Sequence, residues 1–320
     1  MTEPTTAKRI KLAKQSPAYW RVTFDMPPLN IFGPDALPEL NEVVTALESD
    51  EHVKVVVFAS AVDGFFLTHY DFVAPLEEST KLPAGRTGLQ QLPDMLVRLS
   101  RAPVVSIASI RGRATGVGSE LALASDMRFA SRERAILSQW EVGAGLVPGG
   151  GPMARLPRLM GRGRALEVLL GADDIDGELA ERDGYVNRAL PDVELDEFVE
   201  ALATRIASFD KQAIAETKRL VDLNTLPPDS EIPPNGTRSL LPSAGPRHRR
   251  GYACCSTAAS TSRRTSSPVS GTTSACWATP RTRRLTSRCS SPTQNMSIGL
   301  AFSFLEALRG IRVLPHRPRS

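Results

Sequence analysis

An α/β domain is the fold class that the first 231 residues predict, and three observations carry it. "VKVVVFAS" (53–60) and "APVVSIAS" (102–109) are continuous, Val/Ile-rich and short, the pattern of strands buried on both faces. Between them, "TGLQQLPDMLVRLSR" (87–101) spaces Leu89, Leu92, Met95, Leu96 and Leu99 at helical intervals. The alternation then continues along the chain, as it does when helices cover a sheet.

The later elements follow the same rules. "DMRFAS" (126–131) and "AILSQ" (135–139) read as strands, and "GRALEVLLG" (163–171) as a helix. "ELDEFVEALATRIASF" (194–209) is an amphipathic helix, and "KQAIAETKRLVDL" (211–223) a further one. No repeat of 20–50 residues interrupts the series.

Composition divides the chain at residue 232. Overall it is 41% hydrophobic and 23% charged, with a net charge of +4, an ordinary soluble average. From Ile232 onward there are 14 Arg, no Lys and one acid, Glu306, a net of +13. With 39 basic and 35 acidic residues in all, residues 1–231 carry −9. Cys254, Cys255, Cys276 and Cys289 all lie in the tail, so the body needs no disulfide, which suits a reducing cytoplasm. The N-terminal "MTEPTTAKRIKLAKQSPAYW" has no apolar signal-peptide core, and "IGLAFSFLEAL" (298–308) is far below a bilayer span of about 20 residues. A cytoplasmic protein with no membrane role is expected.

Two stretches of the body have chemical potential. In "GRATGVGSELALASD" (112–126), a glycine turn leads from a buried strand into a helix whose first turn holds Glu120. Such a helix start leaves amide N–H groups unpaired and positively polarised, able to hold developing negative charge. Equally, Gly116 and Gly118 can serve tight packing, and Glu120 the helix N-terminus. In "LSQWEVGAGLVPGGGPMARLPRLMG" (137–161), Glu141 precedes a glycine-rich loop. No Gly-Lys-Ser/Thr follows, which excludes a P-loop. Two carboxylates near strand–loop junctions suit acid–base chemistry if they face one pocket; otherwise Glu141 is a surface residue beside a loose loop.

Five segments in order, "FDMPPLNIFGPDAL", "VKVVVFASAVDGFFLTHYDF", "APVVSIASIRGRATGVGSELALASDMRFAS", "QWEVGAGLVPGGGPMARLPRLMGRGRALEVLLG" and "AERDGYVNRALP", resemble the enoyl-CoA hydratase/isomerase (crotonase) superfamily over about 11–231. The resemblance implies a crotonase-like superhelix of stacked ββα units and an acyl-CoA thioester substrate, CoA being part of that substrate and no other cofactor or metal being needed. It implies an oxyanion hole from the backbone N–H groups of Tyr70 and Val117, catalytic roles for Glu120 and Glu141, and Thr68 and His69 near the CoA moiety. His69, Tyr70 and Val117 stand where relatives carry smaller residues, which would crowd the hole toward a small or differently shaped acyl group. His69 is expected to pack or hydrogen-bond rather than act as a third acid–base group. Hydration of an enoyl-CoA is the implied reaction. The alternatives are an enoyl-CoA isomerase using Glu141 alone, or a crippled relative that binds CoA without turnover. Relatives assemble as homotrimers or hexamers.

The tail departs from that family. Arg without Lys, with abundant Ser, Thr, Pro and Ala, suggests GC-rich DNA read out of frame from about Glu231–Ile232. With permitted codons, a shift of two nucleotides turns Ile232–Arg247 into "PAEWDAFLASVGRPA" and Ala253–Ser267 into "VLFDRGFNKPADFE", both with the look of a family C-terminus. As it stands, 232–320 is expected to be largely disordered. Its charge could attract phosphate nonspecifically, but no groove-reading motif accompanies it, so no specific nucleic-acid partner is expected. The four cysteines lack the paired spacing of a zinc site.

Overall fold

The long apolar runs become the centre of a sheet. β1 (Ile10–Lys14) pairs antiparallel with β2 (Tyr19–Phe24), and from β2 the sheet is parallel through β3 (Val55–Ser60), β5 (Val105–Ile110), β7 (Met127–Ser131) and β10 (Arg188–Leu190). A second, smaller sheet runs β4 (Phe65–Leu67), β6 (Arg113–Thr115), β8 (Ile136–Ser138) and β9 (Ile175–Asp176), its last pair antiparallel. The computed structural model describes residues 8–71, 74 and 82–233. The ββα logic is visible in the order: β3–β4, β5–β6 and β7–β8 each send a long strand to the large sheet and a short one to the small sheet.

Helices cover both faces of the large sheet, which is why its inner strands are apolar without alternation. On one side, α1 (Ala36–Ser49), α2 (Gln91–Arg101) and α3 (Val117–Ala124) share a core with Trp20, Phe24, Phe58 and Phe66. On the other, α6 (Asp192–Ala207) lays Leu195, Val199, Ala203 and Ile206 on Tyr19, Val55, Val57, Ile107 and Phe129. The chain also contains α4 (Pro152–Gly171), broken at Gly161, α5 (Gly177–Asp183) and α7 (Lys211–Thr225).

The helix read over 87–101 begins at Gln91 instead. Asp94 is the reason: its Oδ1 accepts hydrogen bonds from the Thr87 N–H (2.8 Å) and hydroxyl (2.9 Å), folding 87–90 back as a turn. Its Oδ2 accepts from buried Arg98 (3.2 Å), which also donates to Glu48, Asn41 and Thr45 and so ties α2 to α1. The body's packing extends one residue beyond 231: Ile232 is buried against Leu89, Val97 and Ala154. The disorder and reading frame expected of the tail otherwise lie outside the described residues.

The tightest contact lies between α3 and the strand segment after β4. The Gly118 N–H donates to the Thr68 carbonyl (3.1 Å), and a Cβ on Gly118 would lie 1.7 Å from the Leu67 carbonyl oxygen. Gly118→Ala is therefore expected to cost at least about 3 kcal/mol, the upper range for overpacking, or to prevent folding. Urea denaturation measures it, with Gly163→Ala as control, since nothing lies within 4 Å of a Cβ there. Equal midpoints for the two variants would contradict the contact.

Candidate active site

The site grows from two segments held edge to edge. One is the continuation of β4, residues 68–71; the other is the start of α3. The Phe32 N–H donates to the His69 carbonyl (3.0 Å) and the Asp71 N–H to the Phe32 carbonyl (2.9 Å), so 68–71 is anchored on the loop before α1. Gly116 adopts φ 54°, ψ −118°, a conformation closed to residues with a side chain, and turns the chain from β6 into the helix. A Cβ on Gly116 would sit 3.2 Å from both Glu141 Oε1 and His69 Cα, so the segment after β4, the β6–α3 junction and the carboxylate meet there. Val117, the first helical residue, has its N–H outside the i→i−4 ladder, at the positive end of the helix dipole.

Both glutamates are buried, Glu120 at 1% and Glu141 at 4% exposure, which rules out the surface reading of Glu141. Glu120 is fixed by a loop that looked merely flexible: the Gly150 N–H donates to its Oε1 (2.7 Å), and a Cβ on Gly150 would fall 2.4 Å from its Oε2. Arg155, buried behind that loop, donates to the Gly150 carbonyl (2.7 Å) and lends Glu120 its positive charge. Glu141 opens a 3₁₀ turn, Glu141–Ala144, whose return is closed by the Leu146 N–H donating to the Glu141 carbonyl (2.8 Å).

Burial pushes Glu120 up to about 7 and Glu141 up to about 8. After burial, the Glu120 charge is the next influence raising Glu141, so the carboxylates lie within each other's field. Their two protons titrate as a pair. Near neutral pH such a pair holds a proton beside a carboxylate, which is an acid and a base in one place.

The other expected residues are divided. Tyr70 bridges to Phe32 in parallel register, at the edge of the segment facing the α3 start. His69 lies edge-on to Trp140 (5.4 Å between ring centres) and its Nδ1 is 2.7 Å from the Tyr70 carbonyl oxygen. Burial holds its imidazole below the ordinary range, hence neutral at pH 7. Thr68 is buried, with its hydroxyl directed to the Leu29 and Asn30 carbonyls (3.0 and 3.1 Å). A cleft of about 360 Å³ opens nearby between Arg9, the 25–29 loop, Asp35 and Asp71. Gln139, Ser119, Gly150, Arg155 and Tyr185 carry no motif of their own; each matters through contacts that only the fold creates. No group of three or more His, Cys, Asp or Glu capable of holding a metal occurs among the described residues. No helix among them is long and apolar enough to cross a membrane.

Comparison with known proteins agrees with this architecture. The sequence profile of the enoyl-CoA hydratase/isomerase family matches residues 15–230. A crotonyl-CoA hydratase of Syntrophomonas wolfei is 35% identical over 191 residues, covering 59% of this chain and 72% of the relative. A short-chain-enoyl-CoA hydratase of Clostridium acetobutylicum is 32% identical over 205 residues, 63% of this chain and 76% of the relative. A solved hydratase-family protein of Streptomyces avermitilis superposes with a TM-score of 0.70 at 38% identity, covering 83% of this chain and 95% of that one.

The raised carboxyls have a measurable consequence. Below about pH 4.5 Glu141 is protonated folded and unfolded alike, and contributes no pH dependence. Between there and about 8 the unfolded chain releases a proton that the folded chain keeps, so Glu141 makes stability fall as pH rises. Glu141→Gln removes that loss. Its melting temperature is expected to match wild type at pH 4.5 and to exceed it by a few degrees at pH 8.5. A difference that stays constant with pH would refute the assignment.

Proposed function

The chain belongs to the enoyl-CoA hydratase/isomerase family, and on that footing we propose that it adds water across the 2,3-double bond of an acyl-CoA thioester. The observation that carries the reading is the buried, mutually interacting pair Glu120 and Glu141, set against the junction of residues 68–70 and 116–118. Hydration needs a base to take a proton from water at C3 and an acid to deliver one at C2. A pair that shares a proton near neutral pH supplies both.

In this reading both carboxylates hold the attacking water. Glu120 activates it at the β-carbon, and Glu141 exchanges a proton with the α-carbon. The thioester oxygen, which carries the enolate charge between the two events, rests on the Tyr70 and Val117 N–H groups. Removing one such donor costs about 3 kcal/mol in comparable sites. The CoA moiety lies toward Thr68 and His69, His69 serving as a neutral wall. CoA is part of the substrate; neither metal nor redox cofactor takes part, because the two carboxylates perform the proton transfers and fixed amides hold the enolate charge. The names of the relatives, crotonyl-CoA hydratase and short-chain-enoyl-CoA hydratase, support a short acyl chain.

Assembly and location complete the proposal. The protein works in the cytoplasm; relatives assemble as homotrimers or hexamers, and the altered C-terminal segment weakens that assembly here. α7 has no buried residue and exposes Leu220, Val221 and Leu223, apolar surface that an assembly would cover. Residues 232–320 are proposed to be read out of frame, replacing the family's C-terminal segment. The encoding DNA around codons 225–260 decides the frame. A frame-restored chain is expected to give more oligomer and a higher melting temperature than 1–320; equal values would count against the proposal.

The reaction is tested with crotonyl-CoA. Glu120→Gln and Glu141→Gln are each expected to lower hydration by at least about 10²-fold, the lower range for a positioned acid or base. Unchanged turnover would overturn the assignment. A 3-enoyl-CoA offered to the same protein separates the alternatives: conversion to the 2-enoyl isomer without hydration indicates an isomerase dependent on Glu141, and binding without turnover a non-catalytic relative.

A further inference from the structure

Behind Glu141 lies a buried polar chain that the proposed chemistry does not use. Gln139, Ser119 and Tyr185 are all at 0% exposure, and the buried Arg128 on β7 donates to the Tyr185 carbonyl (3.0 Å). The Gln139 amide faces Ser119 Oγ at 2.7 Å on one side; on the other it lies 3.0 Å from Glu141 Oε2 and 3.2 Å from Oε1. Ser119 Oγ is 2.5 Å from the Tyr185 hydroxyl. Tyr185 belongs to the loop between α5 and β10, Ser119 to α3, and Gln139 and Glu141 to the segment after β8. Three separate parts of the fold thus converge on one carboxylate.

The direction of each bond follows from the last one. Once Glu141 has given up its proton it only accepts, so in that state the amide turns its nitrogen to Glu141 and its oxygen to Ser119. Ser119 has a single hydroxyl hydrogen, which goes to the amide oxygen, leaving Ser119 to accept from Tyr185. Tyr185 is able to donate because burial holds its phenol protonated, well above the usual range. The chain therefore runs one way, from phenol to hydroxyl to amide to carboxylate.

We propose that Tyr185, Ser119 and Gln139 form a one-directional hydrogen-bond chain that positions Glu141, with Gln139 as the residue that fixes its carboxylate toward the substrate and favours its ionised form. A neutral amide suits this task. A Lys or Arg in its place would pair with Glu141 and drain its capacity to hold a proton, whereas an apolar residue would leave a buried carboxylate with nothing to orient it. The inference rests on the hydratase reading for its kinetic consequence, not for its geometry. Other charged or titratable groups around Glu141 are Glu120 on α3 and His69 after β4, with Arg155 on α4 acting on Glu120.

Two measurements test the chain, one without substrate. In ¹³C-carboxyl NMR titrations, with Glu141→Gln and Glu120→Gln spectra for assignment, Gln139→Met is expected to move the Glu141 midpoint to higher pH, because a donor to the charged form is gone. With crotonyl-CoA, Gln139→Met is expected to lower kcat by on the order of ten-fold with KM within about two-fold, and to move the alkaline limb of the pH profile upward with the midpoint. Ser119→Ala, a mild change on a helix, frees the amide to rotate. It is expected to shift the midpoint in the same direction with a smaller loss of kcat, and to add no further loss in the Gln139→Met background. An unmoved midpoint in both variants overturns the proposal, as do kinetic losses that simply add. Should the wild-type protein not hydrate crotonyl-CoA, the hydratase reading fails, while the NMR midpoints still decide the positioning role.

Discussion

Everything at the site depends on how closely α3 approaches the strand segment after β4. Gly118 lies against the Leu67 carbonyl at a distance no side chain tolerates, and its N–H is bonded to Thr68. That contact fixes the helix start against residues 68–70. Once it is fixed, Gly116 falls between His69 and Glu141, and Glu120 one turn later points into the same interior. A longer separation would leave two carboxylates in two places. The tight backbone contact is what makes them a pair.

The pair is costly to keep, and the surroundings reveal how the cost is limited. A buried carboxylate wants donors, and each here receives them from groups with no net charge: the Gly150 N–H for Glu120 and the Gln139 amide for Glu141. The nearest cation, Arg155, stands off behind the glycine loop and binds the Gly150 carbonyl rather than either carboxylate. A direct ion pair would lower one carboxylate decisively and end proton sharing. Neutral donors with a withdrawn guanidinium leave both groups high enough to exchange a proton near neutral pH. The lowered stability at alkaline pH and the site's chemical capacity have the same source.

Much of this was legible in the chain. β3 and β5 announce themselves because they are buried on both faces, and α6 because its apolar stripe has helical period. β1 does not: only Ile10 is buried, so no run or alternation marks it, and it exists by pairing with β2. Asp94, a polar residue inside an apolar helical pattern, shortens α2 through a hydrogen bond seven residues back, which periodicity cannot register. At the site, Glu120 and Glu141 stand out by their motifs, but the burial of Glu141 does not. "QWE" beside a glycine-rich loop reads as surface until α3, the 3₁₀ turn and Tyr185 close around it. Gln139 and Tyr185 are 46 residues apart and meet only through Ser119.

The end of the described body bears directly on the same machinery. Ile232 fills a pocket with Leu89, Val97 and Ala154, and its Cδ1 lies where a Cβ on Gly151 would come within 2.6 Å. Gly151 adjoins Gly150, whose N–H holds Glu120. The approach to Ile232 is itself secured from outside by Arg101 on Asp229 and Arg158 on Glu231. A side chain at 232 therefore helps press the glycine loop onto the Glu120 carboxylate, and Ile is large and apolar enough to do so. The change in composition begins at this residue, one layer of atoms from the loop that positions Glu120. Ile232, the first residue of the segment proposed to be out of frame, thus still packs against the loop that supports the carboxylate pair.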